Sequence, residues 1–257
     1  MILRRVTKHV QEQNWFAVSI DFVIVVTGVF IGIQVANWNE TRQDEATGYA
    51  YLIRIQEDLA VDRAVLEEQG AFWTATKSYG EAALKYLEEG VLLNNSEWNT
   101  VLAFYHATQV WGFLLYDPTY REMISAGNLG LISDPDLRRA LGDYYSIGTD
   151  QRQSFFQMIP DYRDTVRGMT PWAIQNYIWA SCVDAPGLNE YRLLDCESLV
   201  PAEQARQFLD RLEGRAEVVE QLRNWLRNLE LMNSWRAQLI DASNELDRRI
   251  VDSVTPK

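Results

Sequence analysis

Between Trp15 and Trp38 the chain carries the apolar run Phe22-Val-Ile-Val-Val-Thr-Gly-Val-Phe-Ile-Gly-Ile33, which continues into Gln34, Val35, Ala36 and Asn37. From Phe16 to Asn37 this is about 22 residues, roughly 33 Å as a helix, enough to cross a hydrocarbon core of about 30 Å. The run predicts a transmembrane helix. Trp15 and Trp38 bracket it where amphipathic rings favour the two interfaces, and Arg4, Arg5 and Lys8 precede it, which places the N-terminus in the cytoplasm. A cleaved signal peptide fits less well, because the run is long for such a segment and no small-x-small site follows near Gln34-Val35-Ala36.

No second stretch reaches spanning length; Val110–Tyr116 and Trp172–Ala180 are short and interrupted. The expected organisation is a cytoplasmic amphipathic segment over 1–14, a transmembrane helix over 15–38 and a periplasmic helical domain over 39–257. The fold class expected is all-α, an N-terminal transmembrane helix followed by a helical bundle with long helices. The net charge of −12 becomes −13 once Arg4, Arg5, Lys8, Glu12 and Asp21 are set aside, so the outer body is acidic. Nucleic acid is therefore not an expected partner. Cys182 and Cys196 are the only cysteines, and an oxidising periplasm allows them to close a loop across Asp184-Ala-Pro-Gly-Leu-Asn189.

Along the body, Leu52, Ile55, Leu59, Leu66 and Trp73 recur at helical spacing, so the membrane helix is free to continue outward. A second helix is expected over about Ala71–Glu89, ending at a left-handed Gly90. Ser96 is read as an N-cap, and Asp117-Pro118 and Asp134-Pro135 as helix starts with a capping carboxylate and proline in the first turn. The helix opened by Pro135 runs toward Phe155 and Phe156 and is expected to kink at Pro160, with another helix starting at Thr170-Pro171. In the last third, Val218, Leu222, Trp225, Leu229, Met232, Leu239, Leu246 and Ile250 form a heptad seam, assigned mostly to packing within the chain.

Within the span, Asp21, Val25, Gly28, Gly32 and Val35 project on one stripe, while Thr27 and Gln34 fall on another. Gly28-x-x-x-Gly32 allows another helix to approach closely, and a carboxylate at Asp21 favours protein or water over lipid. A homo-oligomer in the lipid bilayer is expected on this ground, with a partner membrane protein as a further possibility. Its contact or pore residues are Asp21, Thr27, Gly28, Gly32, Gln34 and Asn37.

The stretch Gly28-Val-Phe-Ile-Gly-Ile-Gln34-Val-Ala-Asn37-Trp38-Asn39-Glu40, together with Pro118-Thr119-Tyr120, Ser125, Gly127, Leu129, Leu131-Ile132, Asp134, Leu137-Arg138 and Tyr144-Tyr145, resembles a family of bacterial membrane proteins known only as a domain of unknown function. Members of that family commonly carry Glu where Asp21 stands, preceded by Gly where this chain has Ile20. The resemblance implies a helical protein anchored in a bacterial inner membrane and supplies no activity.

No Gly-x-Ser-x-Gly, phosphate-cradling glycine loop or His-Glu-x-x-His is present. His9 lies on the cytoplasmic side, leaving His106 as the outer domain's single histidine, read as a packing residue. The acidic pairs Glu57-Asp58, Glu67-Glu68 and Glu88-Glu89 diverge by about 100° on a helix and are read as solvated. Tyr105, Trp111, Tyr116, Tyr120, Tyr144 and Tyr145 are read as core before pocket lining. No enzyme, metal or cofactor is expected. The function expected is a membrane-anchored, oligomeric periplasmic structural or interaction protein, an accessory subunit or envelope sensor. The alternative is a small oligomeric channel lined by the span.

Overall fold

The computed structural model describes residues 15–112, 115–157, 159–187 and 190–254. The amphipathic segment expected over 1–14 lies outside them. The fold is mostly helical, and its first element, α1 (Trp15–Glu89), is one unbroken helix of 75 residues, roughly 110 Å long. The separate helix expected from Ala71 does not exist. Alternating charges and strong helix formers carry α1 through that region, and no proline interrupts it. It stops at Gly90, whose φ of 71° supplies the left-handed cap.

Short helices follow: α2 (Glu97–His106), α3 (Pro118–Ala126), α4 (Pro135–Gln157), α5 (Asp161–Met169) and α6 (Trp172–Ser181). An antiparallel hairpin of β1 (Val183–Gly187) and β2 (Glu190–Leu193) comes next, then α7 (Ala202–Glu213) and α8 (Ala216–Val254). The fold is consistent with all-α, and this small hairpin takes up part of the loop expected across Asp184–Asn189. Around Pro160 the chain passes from α4 to a new helix at Asp161 rather than continuing through a kink, because proline cannot supply the interior hydrogen bond.

The caps divide. Ser96 accepts from the Asn99 amide, and Asp134 accepts from the amides of Asp136 and Leu137. Asp117 caps nothing with its side chain and is engaged by Arg121 instead. The start of α3 is held from α1: Asp58 Oδ2 accepts from the Thr119 amide at 3.1 Å, and Asp62 Oδ1 from the Tyr116 amide at 2.5 Å. Asp58 is thus buried, against the expectation of a solvated pair with Glu57.

Helices α1 and α8 run antiparallel, as the pairings Gln56 with Asp247, Lys77 with Glu230 and Glu88 with Arg223 require. Every residue of the expected seam, from Val218 to Ile250, is buried within this one chain. Arg236 and Ser243 occupy the two seam positions that are not apolar. Arg236 lies against Gly70, where a Cβ would meet the guanidinium carbon at 2.5 Å, and Ser243 accepts from Arg63 at 3.1 Å.

Two apolar cores share these helices. The outer core joins Phe72, Trp73 and Tyr86 to α2, α5, α6, α7 and Trp225; the inner one joins Ile55, Leu59 and Leu66 to α3, α4, Leu239 and Ile250. The inner core also needs Gly48, because a Cβ there would collide with the Leu131 carbonyl. Before Gly48, every described side chain of α1 is exposed. Phe22 is 69% exposed and Phe30 60%. It is the one helix among the described residues that is long and apolar enough to cross a membrane.

Candidate functional site

Among the described residues, those singled out in the span meet no other element of the chain. Gly28 and Gly32 have nothing within 4 Å, and Thr27, Gln34 and Asn37 are exposed on the same projecting helix. The backbone of Asp21 is helical, and its side chain lies outside the described residues. No group of acidic, histidine or cysteine side chains among the described residues could hold a metal.

His106 is buried, its Nε2 is 3.1 Å from the Leu194 carbonyl, and its ring lies 4.8 Å from that of Tyr79. Burial pushes it down to about 4, which keeps it neutral and makes Nε2 the donor. This is a packing role.

The chemistry gathers in a cleft of about 500 Å³ between the end of α2, helices α5 and α6, and the hairpin. The carbonyls that close α2 are taken up by side chains. The Trp225 indole donates to Ala107, Tyr162 to Phe104, and Arg163 Nη1 to Thr108 at 2.7 Å. Arg167, one turn along α5, donates from Nε to Thr108 Oγ1 and from Nη2 to Gln109 Oε1, both at 2.9 Å, and its guanidinium lies 5.0 Å from the centre of the Tyr105 ring. A helix C-terminus is a favourable place for cations, which explains how two arginines tolerate this burial side by side. Burial and the neighbouring Arg167 hold Arg163 down at about 10, still charged at neutral pH.

The opposite wall is a single stripe of α6. Trp172, Gln175, Asn176 and Trp179 stand at i, i+3, i+4 and i+7 and all line the cleft. Gln175 Nε2 is spent on the carbonyls of Arg167 and Thr170, leaving its oxygen as an acceptor. The floor is aromatic: Trp111 meets Phe72 edge-on at 5.4 Å and Tyr191 at 5.3 Å. Of the six aromatic residues named from sequence, Tyr105 and Trp111 reach this cleft. Tyr144 and Tyr145 are inner core, Tyr145 stacks on Tyr120 at 4.6 Å, and Tyr116 is exposed.

Sequence reasoning missed Arg163, Arg167, Gln109 and the α6 stripe. The signal for the stripe is the i, i+7 spacing of Trp172 and Trp179 on the helix expected after Thr170-Pro171; the core face of that helix is Ile174 and Ile178.

The Cys182–Cys196 pair is a disulfide with Cα atoms 5.2 Å apart, tying the end of α6 to the segment after β2. Val183, Tyr191 and Leu193 of the enclosed hairpin form one side of the cleft. In the chain-entropy account, closing a loop of about 15 residues is worth about 3 kcal/mol. Replacing both cysteines by serine is therefore expected to lower the melting temperature and to loosen the hairpin. Amide exchange at Tyr191 and Leu193 should accelerate more than at α8, and equal protection in the two proteins would refute it.

The fold and site define a mostly helical protein with, among the described residues, one apolar helix long enough to cross a membrane, and an aromatic cleft carrying two arginines. Comparison with protein-family models, curated proteins and solved structures finds no match to the chain. The likeness at Gly28–Glu40 and Pro118–Tyr145 carries no family assignment.

Proposed function

We propose that the chain is a membrane-anchored interaction protein of the bacterial envelope, with residues 15–38 spanning the inner membrane, the N-terminus in the cytoplasm and the bundle in the periplasm. The observation that carries this reading is the exposed apolar first third of α1, continuous with a folded body. Water would not tolerate a patch of that size, and lipid removes the cost. The basic residues before the span supply the orientation, and the disulfide suits an oxidising compartment. A reporter fused after Lys257 is expected to be active only if it matures in the periplasm. Activity of a cytoplasm-dependent reporter at that position would overturn the topology.

Self-association through the span is part of the same proposal. Gly28 and Gly32 leave a bare groove on α1, and close backbone approach is a main source of helix association in lipid. Changing both to Leu should reduce the mass of the complex in nanodiscs, whereas Val26→Leu with Ile33→Leu should not. An unchanged mass in the glycine double variant would assign any oligomer to the bundle.

A further inference from the structure

We infer that the cleft between α2, α5, α6 and the hairpin binds an acidic sugar, a saccharide ring bearing a carboxylate. This goes beyond the membrane-anchor reading and does not depend on it. Three observations converge on the anion.

Eleven arginines elsewhere in the chain are ion-paired with carboxylates. Arg163 and Arg167 have no such partner among the described residues, although the chain carries a net charge of −12. Each retains N–H groups beyond those engaged at Thr108 and Gln109. Two half-buried guanidiniums that feel Asp164 of their own helix but make no direct ion pair with it match a carboxylate in charge and in donor geometry.

The third observation is Gln109. Its Oε1 is committed to Arg167, which fixes the orientation of the amide, and its Nε2 is then a buried donor with no partner on the cleft wall. Gln109 is 4% exposed, so water does not readily satisfy that group. A buried donor left unmatched is destabilising, and a ligand oxygen placed between it and the arginines removes the cost.

The α6 stripe defines the rest of the ligand. Trp172 and Trp179 are 75% and 51% exposed, and their positions are about 10 Å apart along the helix. Between them stand the free oxygen of Gln175 and the exposed amide of Asn176. Flat aromatic faces that are left bare suit the apolar face of a sugar ring, and the amides between them suit its hydroxyls. An aromatic acid would fill the same space but leave those acceptors without donors.

The test uses the full chain in nanodiscs, which avoids sugar-based detergents, with binding followed by calorimetry and by tryptophan fluorescence. The probes are glucuronic acid and N-acetylmuramic acid, with neutral N-acetylglucosamine, benzoate and inorganic phosphate as comparisons. Saturable binding of at least one acidic sugar is expected, roughly tenfold or more tighter than the neutral sugar. Arg167→Gln should reduce that binding by a similar factor. Because this change also removes contacts to Thr108 and Gln109, Trp172→Ala is the second variant. Its side chain is exposed, so it should weaken binding about fivefold or more while leaving the melting temperature unchanged. The inference is overturned if no acidic sugar saturates the protein, or if the neutral sugar, benzoate or phosphate binds equally well. It is also overturned if Trp172→Ala binds as the parent does.

Discussion

At pH 8, Asp62→Asn is expected to make the protein more stable by about 2–4 kcal/mol. Asp62 lies in the inner core facing Asp58, Asp117 and Tyr145, with Tyr144 donating to Oδ2 at 2.9 Å and the Tyr116 amide to Oδ1. Burial, reinforced by the two neighbouring carboxylates, raises it to about 7. A carboxyl whose folded pKa lies above its unfolded value binds more protons when folded. Its contribution is complete below the unfolded value near 4 and is lost as the pH rises through 7.

His106 runs the other way. Its folded pKa near 4 lies below the usual 6.5, so its contribution is complete above 6.5 and is lost as the pH falls toward 4. In the parent the two slopes oppose each other between about 4 and 6.5. Asparagine still accepts from the Tyr116 amide, and the Tyr144 hydroxyl can turn to accept from the new amide. The variant should therefore lose the opposing Asp62 slope and keep the histidine one, which is worth about 3 kcal/mol from pH 4 to 6.5 and then levels off. Denaturation of the full chain across this range checks it, and parallel profiles for parent and variant would refute the assignment.

Trp225→Ala is expected to cost about 3–5 kcal/mol, the range for emptying a large buried aromatic site. Trp225 is among the largest fully buried side chains, and its indole N–H reaches the Ala107 carbonyl at 2.8 Å. The indole thereby joins α8 to the end of α2, one residue before the carbonyl held by Arg163. Trp225→Phe separates the two contributions. It keeps most of the volume and loses the hydrogen bond, so about 1–2 kcal/mol is expected by chemical denaturation. A phenylalanine variant as unstable as the alanine one would show that the bond, and not the packing, carries the site.

The seam of α8 was legible because a period-3.5 pattern survives two polar interruptions, Arg236 and Ser243. The cap at Ser96 and the left-handed Gly90 were legible because their chemistry is local. What distance supplies was not legible. Asp58 caps α3 and Asp62 holds the residue leading into it, both from about 60 residues upstream, and nothing at Asp117 announces that its own side chain is turned to Arg121. The cleft was hidden for the same reason. Its arginines stand beside the end of α2 only because Tyr162, Val166 and Trp225 bury α5 there, and no spacing in the sequence encodes that neighbour.

The unbroken path of α1 makes the protein behave as a shaft. From Trp38 to Phe72, at the cleft floor, is about 50 Å of helix, with the side-chain contacts from Asn37 to Thr47 all local. No flexible joint separates the apolar segment from the body, so if that segment spans a membrane, the body's height and heading over it are locked together by residue count. Each added residue between Asn39 and Thr47 lifts the cleft by about 1.5 Å and swings it by about 100°. Seven residues lift it by about 10 Å and return it almost to its bearing, whereas two turn it nearly to the opposite side. Any ring of these chains packed through Gly28 and Gly32 would therefore present its clefts all inward or all outward according to the arithmetic of that short segment.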